Sequence, residues 1–151
     1  ADQLKIIKDA CCWPPTGKRG VGFSRANLYG KHFNKYKEEA KNPLLIAQIE
    51  HINAVNNLDE ILQVKGLDAI MVGPYDLSAS MNITGNFEND KFISIMDKIF
   101  QYCKKYSIPC GDHIIQPDPN LLKNRIKNGY RFIAYSSDGI FLHSYSTKPN
   151  N

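Results

Sequence analysis

The chain contains no apolar run approaching the ~20 residues that a membrane-spanning helix needs, so no membrane partner is expected. Its first residues, ADQLKIIKDA, are amphipathic and lack the continuous apolar stretch of a signal peptide. Cysteine is sparse. Cys11, Cys12, Cys103 and Cys110 form no C-x-x-C, and no histidine pair sits at finger spacing, which argues against a structural zinc site. Free thiols in a reducing cytoplasm are the reading adopted. No nucleotide-type glycine loop is present either. Gly17-Lys18-Arg19-Gly20-Val21-Gly22 is neither G-x-G-x-x-G after a strand nor a Walker sequence, and reads as a structural loop. Arg19 and Arg25 stay open as contacts for an anion or a neighbouring subunit. No nucleic-acid motif accompanies the formal charge of +4. Lys104-Lys105 and the trio Lys123, Arg125, Lys127 read as solvated helix faces, so no nucleic-acid partner is expected. An initiator Met is also lacking: the chain opens at Ala1, in what reads as the middle of a helix, and the expectation is a piece of a longer polypeptide.

What is present is an ordinary globular composition. The 151 residues, 42% hydrophobic and 23% charged, suffice for one domain with a core of reasonable size. The most informative stretch runs from Leu44 to Ser80 and reads as strand, helix, strand. In the first strand Leu44, Ile46, Gln48 and Glu50 share a face, because strand side chains alternate with period 2. The second, Asp68 to Gly73, is a short apolar run that stops at Gly73-Pro74 and delivers Asp76 just beyond. A helix over 53–65 joins them, with Ile52, Val55, Leu58, Ile61 and Leu62 on its buried stripe and Gly66 as its cap. Parallel strands joined this way end on one rim, where α/β sheets put their ligands. Two carboxylates there, Glu50 and Asp76, point to a hard, oxygen-ligated divalent cation with room for substrate and water.

The rest of the chain repeats the pattern. A helix is expected over 2–12, ended by Trp13-Pro14-Pro15, and a second over 32–41, ended by Pro43. Residues 82–89 are turn-rich, and 92–106 is an amphipathic helix built on Phe92, Ile95, Met96, Ile99, Phe100 and Cys103. Residues 108–115 read as a third strand interrupted by Gly111 and Asp112. Asp118-Pro119 caps a helix that continues over 121–128 and closes at Gly129, and 131–137 reads as a fourth strand. Alternating β and α means a parallel sheet. Four units are half of an eight-fold barrel, whose usual length is about 250 residues. With the missing methionine, the expected fold is α/β: the C-terminal portion, about half, of a (β/α)8 TIM barrel, with residues 1–151 as a single partial domain.

At this point the residues carry a resemblance. Pro14-Pro15-x-Gly17-x-Arg19-Gly20-Val21-Gly22 with Arg25-Ala26, then Gln48-Ile49-Glu50, Gly66-Leu67-Asp68 and Gly73-Pro74-Tyr75-Asp76-Leu77-Ser78 resemble the HpcH/HpaI aldolase family. Those are the metal-dependent (class II) pyruvate aldolases related to citrate lyase β subunits. GYRFIAYSSD, Gly129 to Asp138, is similar to the last barrel strand. The resemblance implies that Glu50 and Asp76 bind Mg²⁺ or Mn²⁺, with Co²⁺ as another option. It implies that Gln48 contacts a bound keto acid of pyruvate or oxaloacetate type, and that the backbone around Gly73, Pro74 and Tyr75 holds the acid's carboxylate. The implied activity is cleavage of a 4-hydroxy-2-keto acid to pyruvate and an aldehyde through a metal-stabilised enolate, in a cytoplasmic homo-oligomer. The family's acid/base histidine and enolate arginine are expected upstream, so no catalytic residue is assigned here. His32, His51, His113 and His143 fall outside the matching motifs. His51 reads as a first-turn helix residue, and His113 as a core histidine, with barrel lining as its alternative. The family's C-terminal helix is expected to be largely absent after Leu142. Two other readings stay open: an incomplete, non-catalytic barrel that keeps metal binding or subunit contacts, and an unrelated flavodoxin-type binding domain.

Overall fold

Short apolar runs alternate with amphipathic ones along the chain, and the result is a parallel sheet with helices packed on one face. The computed structural model describes residues 1–146. Helices α1 (Asp2–Cys11) and α2 (Phe33–Glu39), with a 3-10 turn at Arg25–Asn27 between them, precede the first strand, β1 (Ile46–Ile49). Then follow α3 (Ile52–Asn56), α4 (Leu58–Leu62), β2 (Ala69–Val72), α5 (Pro74–Ser80) and α6 (Asp90–Tyr106). The chain continues through β3 (Cys110–Ile114), α7 (Pro119–Lys127), β4 (Phe132–Tyr135) and α8 (Asp138–Tyr145). The strand order is β1-β2-β3-β4, and each neighbouring pair is parallel. This is the architecture of about half of a (β/α)8 barrel.

Alternation along β1 decides which face meets the helices. Leu45 and Ile49 are buried, whereas Leu44, Gln48 and Glu50 are exposed. Ile49, Ile70 and Val72 from the sheet pack with Val55, Leu58 and Leu62 of α3 and α4 and with Phe92, Met96, Ile99 and Cys103 of α6. Each side chain of that size removed fully from water contributes about 1.5–3 kcal/mol. The helix stripes expected from the sequence are the ones that meet the sheet. All four cysteines are free thiols, as expected. Hydrogen bonding to the Cys103 thiol, and then burial, hold the Cys110 thiol above its ordinary range. No described helix is long and apolar enough to cross a membrane.

Several elements differ from the sequence reading, each for a local reason. The expected helix over 53–65 is two helices, broken at Asn57, whose backbone leaves the helical region (φ −107, ψ 19). Its side-chain amide donates to the Asn53 carbonyl at 2.8 Å, a local bond that competes with helix propagation. Gly111 and Asp112 do not interrupt the third strand; both lie inside β3. A Cβ on Gly111 would stand 2.6 Å from the Phe132 carbonyl oxygen and 2.9 Å from that of Ile70, so glycine is what lets three strands approach. The segment after Gly73 is a helix, α5, and a further helix, α8, runs through Leu142 to Tyr145. The end of the STKPNN tail, residues 147–151, lies outside the described residues.

The assignment of Arg125 to a solvated face is also corrected. Its Nε donates to Asp112 Oδ2 at 2.7 Å, and the guanidinium sits 5.3 Å from the Tyr130 ring centroid. Asp112 is only 3% exposed and Arg125 is half-buried, so the pair is a cross-link between β3 and α7 at the edge of the core. Lys105 likewise has a partner, Asp59, at 2.9 Å, though on the open surface. Removing the guanidinium leaves a buried carboxylate without its cation. Arg125→Ala is therefore expected to cost about 2–3 kcal/mol of stability, read from urea unfolding, whereas Lys127→Ala should change it by less than about 0.5 kcal/mol. Equal effects from the two substitutions would contradict the assigned role of the pair.

Candidate active site

The site begins with the alternation of β1. Because Ile49 is buried against the helices, Gln48 and Glu50 project from the other face of the sheet. Gln48 Nε2 donates to Glu50 Oε2 at 2.7 Å, so the amide is oriented by the carboxylate. His51, the next residue, caps α3: its Nδ1 accepts from the Asn53 backbone N–H at 3.1 Å. That bond commits it to helix capping, in line with its sequence reading.

β2 delivers the second part. The Gly73 N–H donates to the Ile49 carbonyl at 3.1 Å, extending the ladder to the rim. A Cβ on Gly73 would lie 2.8 Å from Gln48 Nε2, 3.0 Å from Glu50 Cβ and 3.2 Å from Glu50 Oε2. Its backbone (φ −95, ψ 93) is one any residue adopts, so what glycine provides here is space. Pro74 follows at the first helical position of α5, where its missing N–H costs nothing. Tyr75 and Asp76 complete that first turn, whose N–H groups have no acceptor within the helix. The Tyr75 ring packs edge-on against Phe87 with centroids 5.0 Å apart.

Two serines hold these loops together. Ser78, fully buried, donates from Oγ to the Tyr75 carbonyl at 2.8 Å and accepts from the Gly85 N–H at 2.9 Å. Ser80 donates to the Leu77 carbonyl at 2.7 Å and accepts from the Ile52 N–H at 2.9 Å. The second contact ties the helix carrying Asp76 to the first residue of α3, two positions after Glu50. The sequence reading stopped at the carboxylates and passed over Ser80; its signal was the serine spacing within Leu77-Ser78-Ala79-Ser80.

The structure thus brings Gln48, Glu50 and Gly73 into direct contact and puts Pro74 and Tyr75 immediately after them. Asp76 stands in the exposed first turn of α5, at the end of the neighbouring strand. Neither Glu50 nor Asp76 forms an ion pair among the described residues. Nor does any group of three or more His, Cys, Asp or Glu side chains gather there to make a closed metal cage. Glu50 with its Gln48 amide, and the exposed Asp76 at the end of the neighbouring strand, are oxygen donors of the kind suited to an ion such as Mg²⁺, which keeps several waters and takes few protein ligands. Soft or tetrahedral nitrogen and sulfur chemistry does not fit them.

Comparison with known proteins gives the site its context. The sequence model of the HpcH/HpaI aldolase/citrate lyase family matches residues 1–144. The chain belongs to that family. It is 37% identical over 131 residues to the 5-keto-4-deoxy-D-glucarate aldolase of Salmonella arizonae, covering 85% of this chain and 50% of that protein. It is 33% identical over 138 residues to the 4-hydroxy-2-oxovalerate aldolase of Novosphingobium aromaticivorans, covering 91% and 52%. The crystal structure of an HpcH/HpaI aldolase/citrate lyase family protein from Burkholderia cenocepacia superposes with a TM-score of 0.84 at 26% identity, covering 95% of this chain and 57% of that one. The chain spans about half the length of the curated relatives it matches.

Several residues of the HpcH/HpaI-like motifs serve the framework. Arg19 Nη2 donates to the Tyr36 hydroxyl at 3.0 Å, with the guanidinium over the Trp13 and Tyr36 rings. Asn27, fully buried, donates to the Gly22 carbonyl at 2.7 Å and accepts from the N–H groups of Ser24 and Gly30, which fixes the glycine loop. Asp68 Oδ2 accepts from the Leu45 N–H at 2.7 Å, pinning the opposite end of the β1–β2 pair.

The narrow space at Gly73 has a measurable consequence. Gly73→Ala is expected to cost about 1–3 kcal/mol by overpacking against Glu50 Cβ and to displace the Gln48 amide, read from urea unfolding. A neutral substitution would mean that the two side chains move aside freely.

Proposed function

We propose that this chain provides the metal-binding and keto-acid-binding part of an aldolase that cleaves a 4-hydroxy-2-keto acid to pyruvate and an aldehyde. The observation that carries the reading is the Gln48–Glu50–Gly73 contact at the end of β1, with Asp76 delivered by the adjacent strand. Membership of the family, and the aldolase names of two relatives, support it.

In this reading Glu50 and Asp76 hold Mg²⁺ or Mn²⁺, with Co²⁺ as a substitute. When bound, such an ion supplies a Lewis acid for a keto oxygen. Gln48 has a spare amide hydrogen and a free carbonyl oxygen after bonding Glu50, and it holds the keto acid in place. The first-turn N–H groups after Gly73 and Pro74, at Tyr75 and beyond, take the acid's carboxylate. Cleavage then requires a base that removes the C4 hydroxyl proton. As the C3–C4 bond breaks, its electron pair passes to the keto-acid fragment, which becomes the enolate of pyruvate, and the aldehyde leaves. The base and the arginine beside the enolate belong, on this proposal, to strands preceding this sequence. The segments 48–50 and 73–78 contain no lysine, so imine formation within the site is not part of the mechanism. Residues 1–151 form one partial domain of a cytoplasmic homo-oligomer whose partner is a small keto acid. The second reading, an incomplete barrel that binds metal without turnover, is separated from the first by whether the reading frame continues upstream through strands carrying a histidine and an arginine.

Two experiments test the proposal. Residues 1–151 alone are expected to be inactive; in a longer chain that includes the preceding strands, aldol cleavage, and with it oxaloacetate decarboxylation, should disappear in EDTA and return with added Mg²⁺, Mn²⁺ or Co²⁺. Activity that persisted in EDTA and was trapped by borohydride with pyruvate would overturn the reading. Glu50→Ala should abolish both reactions together, whereas Gln48→Ala should weaken pyruvate binding and leave Mn²⁺ affinity nearly intact, both read by titration calorimetry. The open sheet edges at β1 and β4, with Leu44 74% and Phe132 40% exposed, lead to a further expectation: the isolated 151-residue chain should self-associate. A light-scattering mass of 17.1 kDa across a concentration series would contradict it.

A further inference from the structure

The register of the sheet places a residue outside the family motifs at the candidate site. Gln48 lies opposite Met71, and Met71 opposite Gly111. Continued by two residues, one beyond the ends of β1 and β2, that register sets Glu50, Gly73 and His113 at one height on the rim. They also share a face. The neighbours of His113 in β3, Asp112 and Ile114, are buried on the helix side, where Asp112 holds Arg125 of α7. His113 therefore projects to the side from which Gln48 and Glu50 project. Between the two polar residues lies Gly73, which has no side chain. The outer members of the row are two strand spacings apart, about 10 Å, with only the Gly73 backbone between the carboxylate and the imidazole.

The local framework around the imidazole is also ordered. His113 is half-buried, and its position is braced: its backbone N–H donates to Asp112 Oδ1 at 2.9 Å, while Asp112 Oδ2 is held by Arg125 at 2.7 Å. The buried ion pair thus fixes the strand at the point where the imidazole leaves it.

We propose that His113 is a substrate-contacting residue that hydrogen-bonds the distal polar group of the keto acid, the end beyond the keto carbon. The inference rests on the keto-acid reading of Gln48, Glu50 and Asp76. Those residues hold one end of the ligand, and the remaining length runs over Gly73 toward the imidazole.

The test compares two stable acids on the Mn²⁺-loaded protein by titration calorimetry: pyruvate, which ends at a methyl group, and 2-oxoglutarate, which carries a distal carboxylate. His113→Ala is expected to weaken 2-oxoglutarate binding roughly tenfold, while pyruvate and Mn²⁺ affinities stay within about twofold. His113→Gln, which keeps a donor, should recover part of the loss. Unchanged 2-oxoglutarate binding, or an equal loss for both acids, would overturn the role of His113 while leaving the metal site standing. A wild-type protein that takes up neither Mn²⁺ nor pyruvate would overturn the site reading itself, and is recognised before any variant is made.

Discussion

The approach of Gly73 to the Gln48–Glu50 pair is the constraint on which the candidate site depends. A hydrogen in place of a methyl group lets the end of β2 lie against two polar side chains that would otherwise be held apart. The hydrogen bond from Gln48 to Glu50 then fixes an amide that free in solvent would rotate, and it does so at an exposed position where packing could not. Ordering through a charge-assisted bond is stronger than through a neutral one. Order at this rim therefore comes from backbone proximity and one such bond.

A second constraint acts from behind the sheet. Asp112 is among the few buried polar side chains and Arg125 is its cation, so an ion pair rather than an apolar contact joins β3 to α7 here. A buried pair is weak evidence for net stability, because desolvating both charges offsets most of their attraction. What it supplies here is position. One carboxylate oxygen binds the guanidinium and the other binds the His113 backbone, so displacement of α7 would be transmitted to the rim.

Much of this was legible in the sequence, and the exceptions share a cause. Period-2 alternation placed Gln48 and Glu50 on one face, and the 3.6-residue stripes of 52–62 and 92–103 named the residues that meet the sheet. These signals are local and repeated. Arg125 was misread because its partner is on a strand thirteen positions earlier, and nothing in the spacing of Lys123, Arg125 and Lys127 distinguishes the member that turns inward. The break at Asn57 depends on a single side-chain bond that periodicity does not register. α5 was missed because seven residues opened by proline carry too few turns to display a period. Gly111 looked like an interruption since the reason for glycine, carbonyl groups on both neighbouring strands, exists only once the sheet has formed.

The proposed ligand-holding residues are also close neighbours in the chain. Gln48, Glu50, Gly73 and Asp76 come from two consecutive βα units, and the Ser80–Ile52 contact ties those units to each other rather than to a distant element. Their arrangement therefore depends on the β1–β2 pairing and on α5, all of which lie within the described residues. Proton transfer makes a different demand. It needs a base within hydrogen-bond reach of a substrate hydroxyl, and the histidines here are at a helix cap (His51), before α2 (His32), on α8 (His143) or on β3 (His113). The proposed ligand-holding residues thus owe their order to the local pairing of β1 with β2 and to the Ser80–Ile52 contact, and neither of these positions a base.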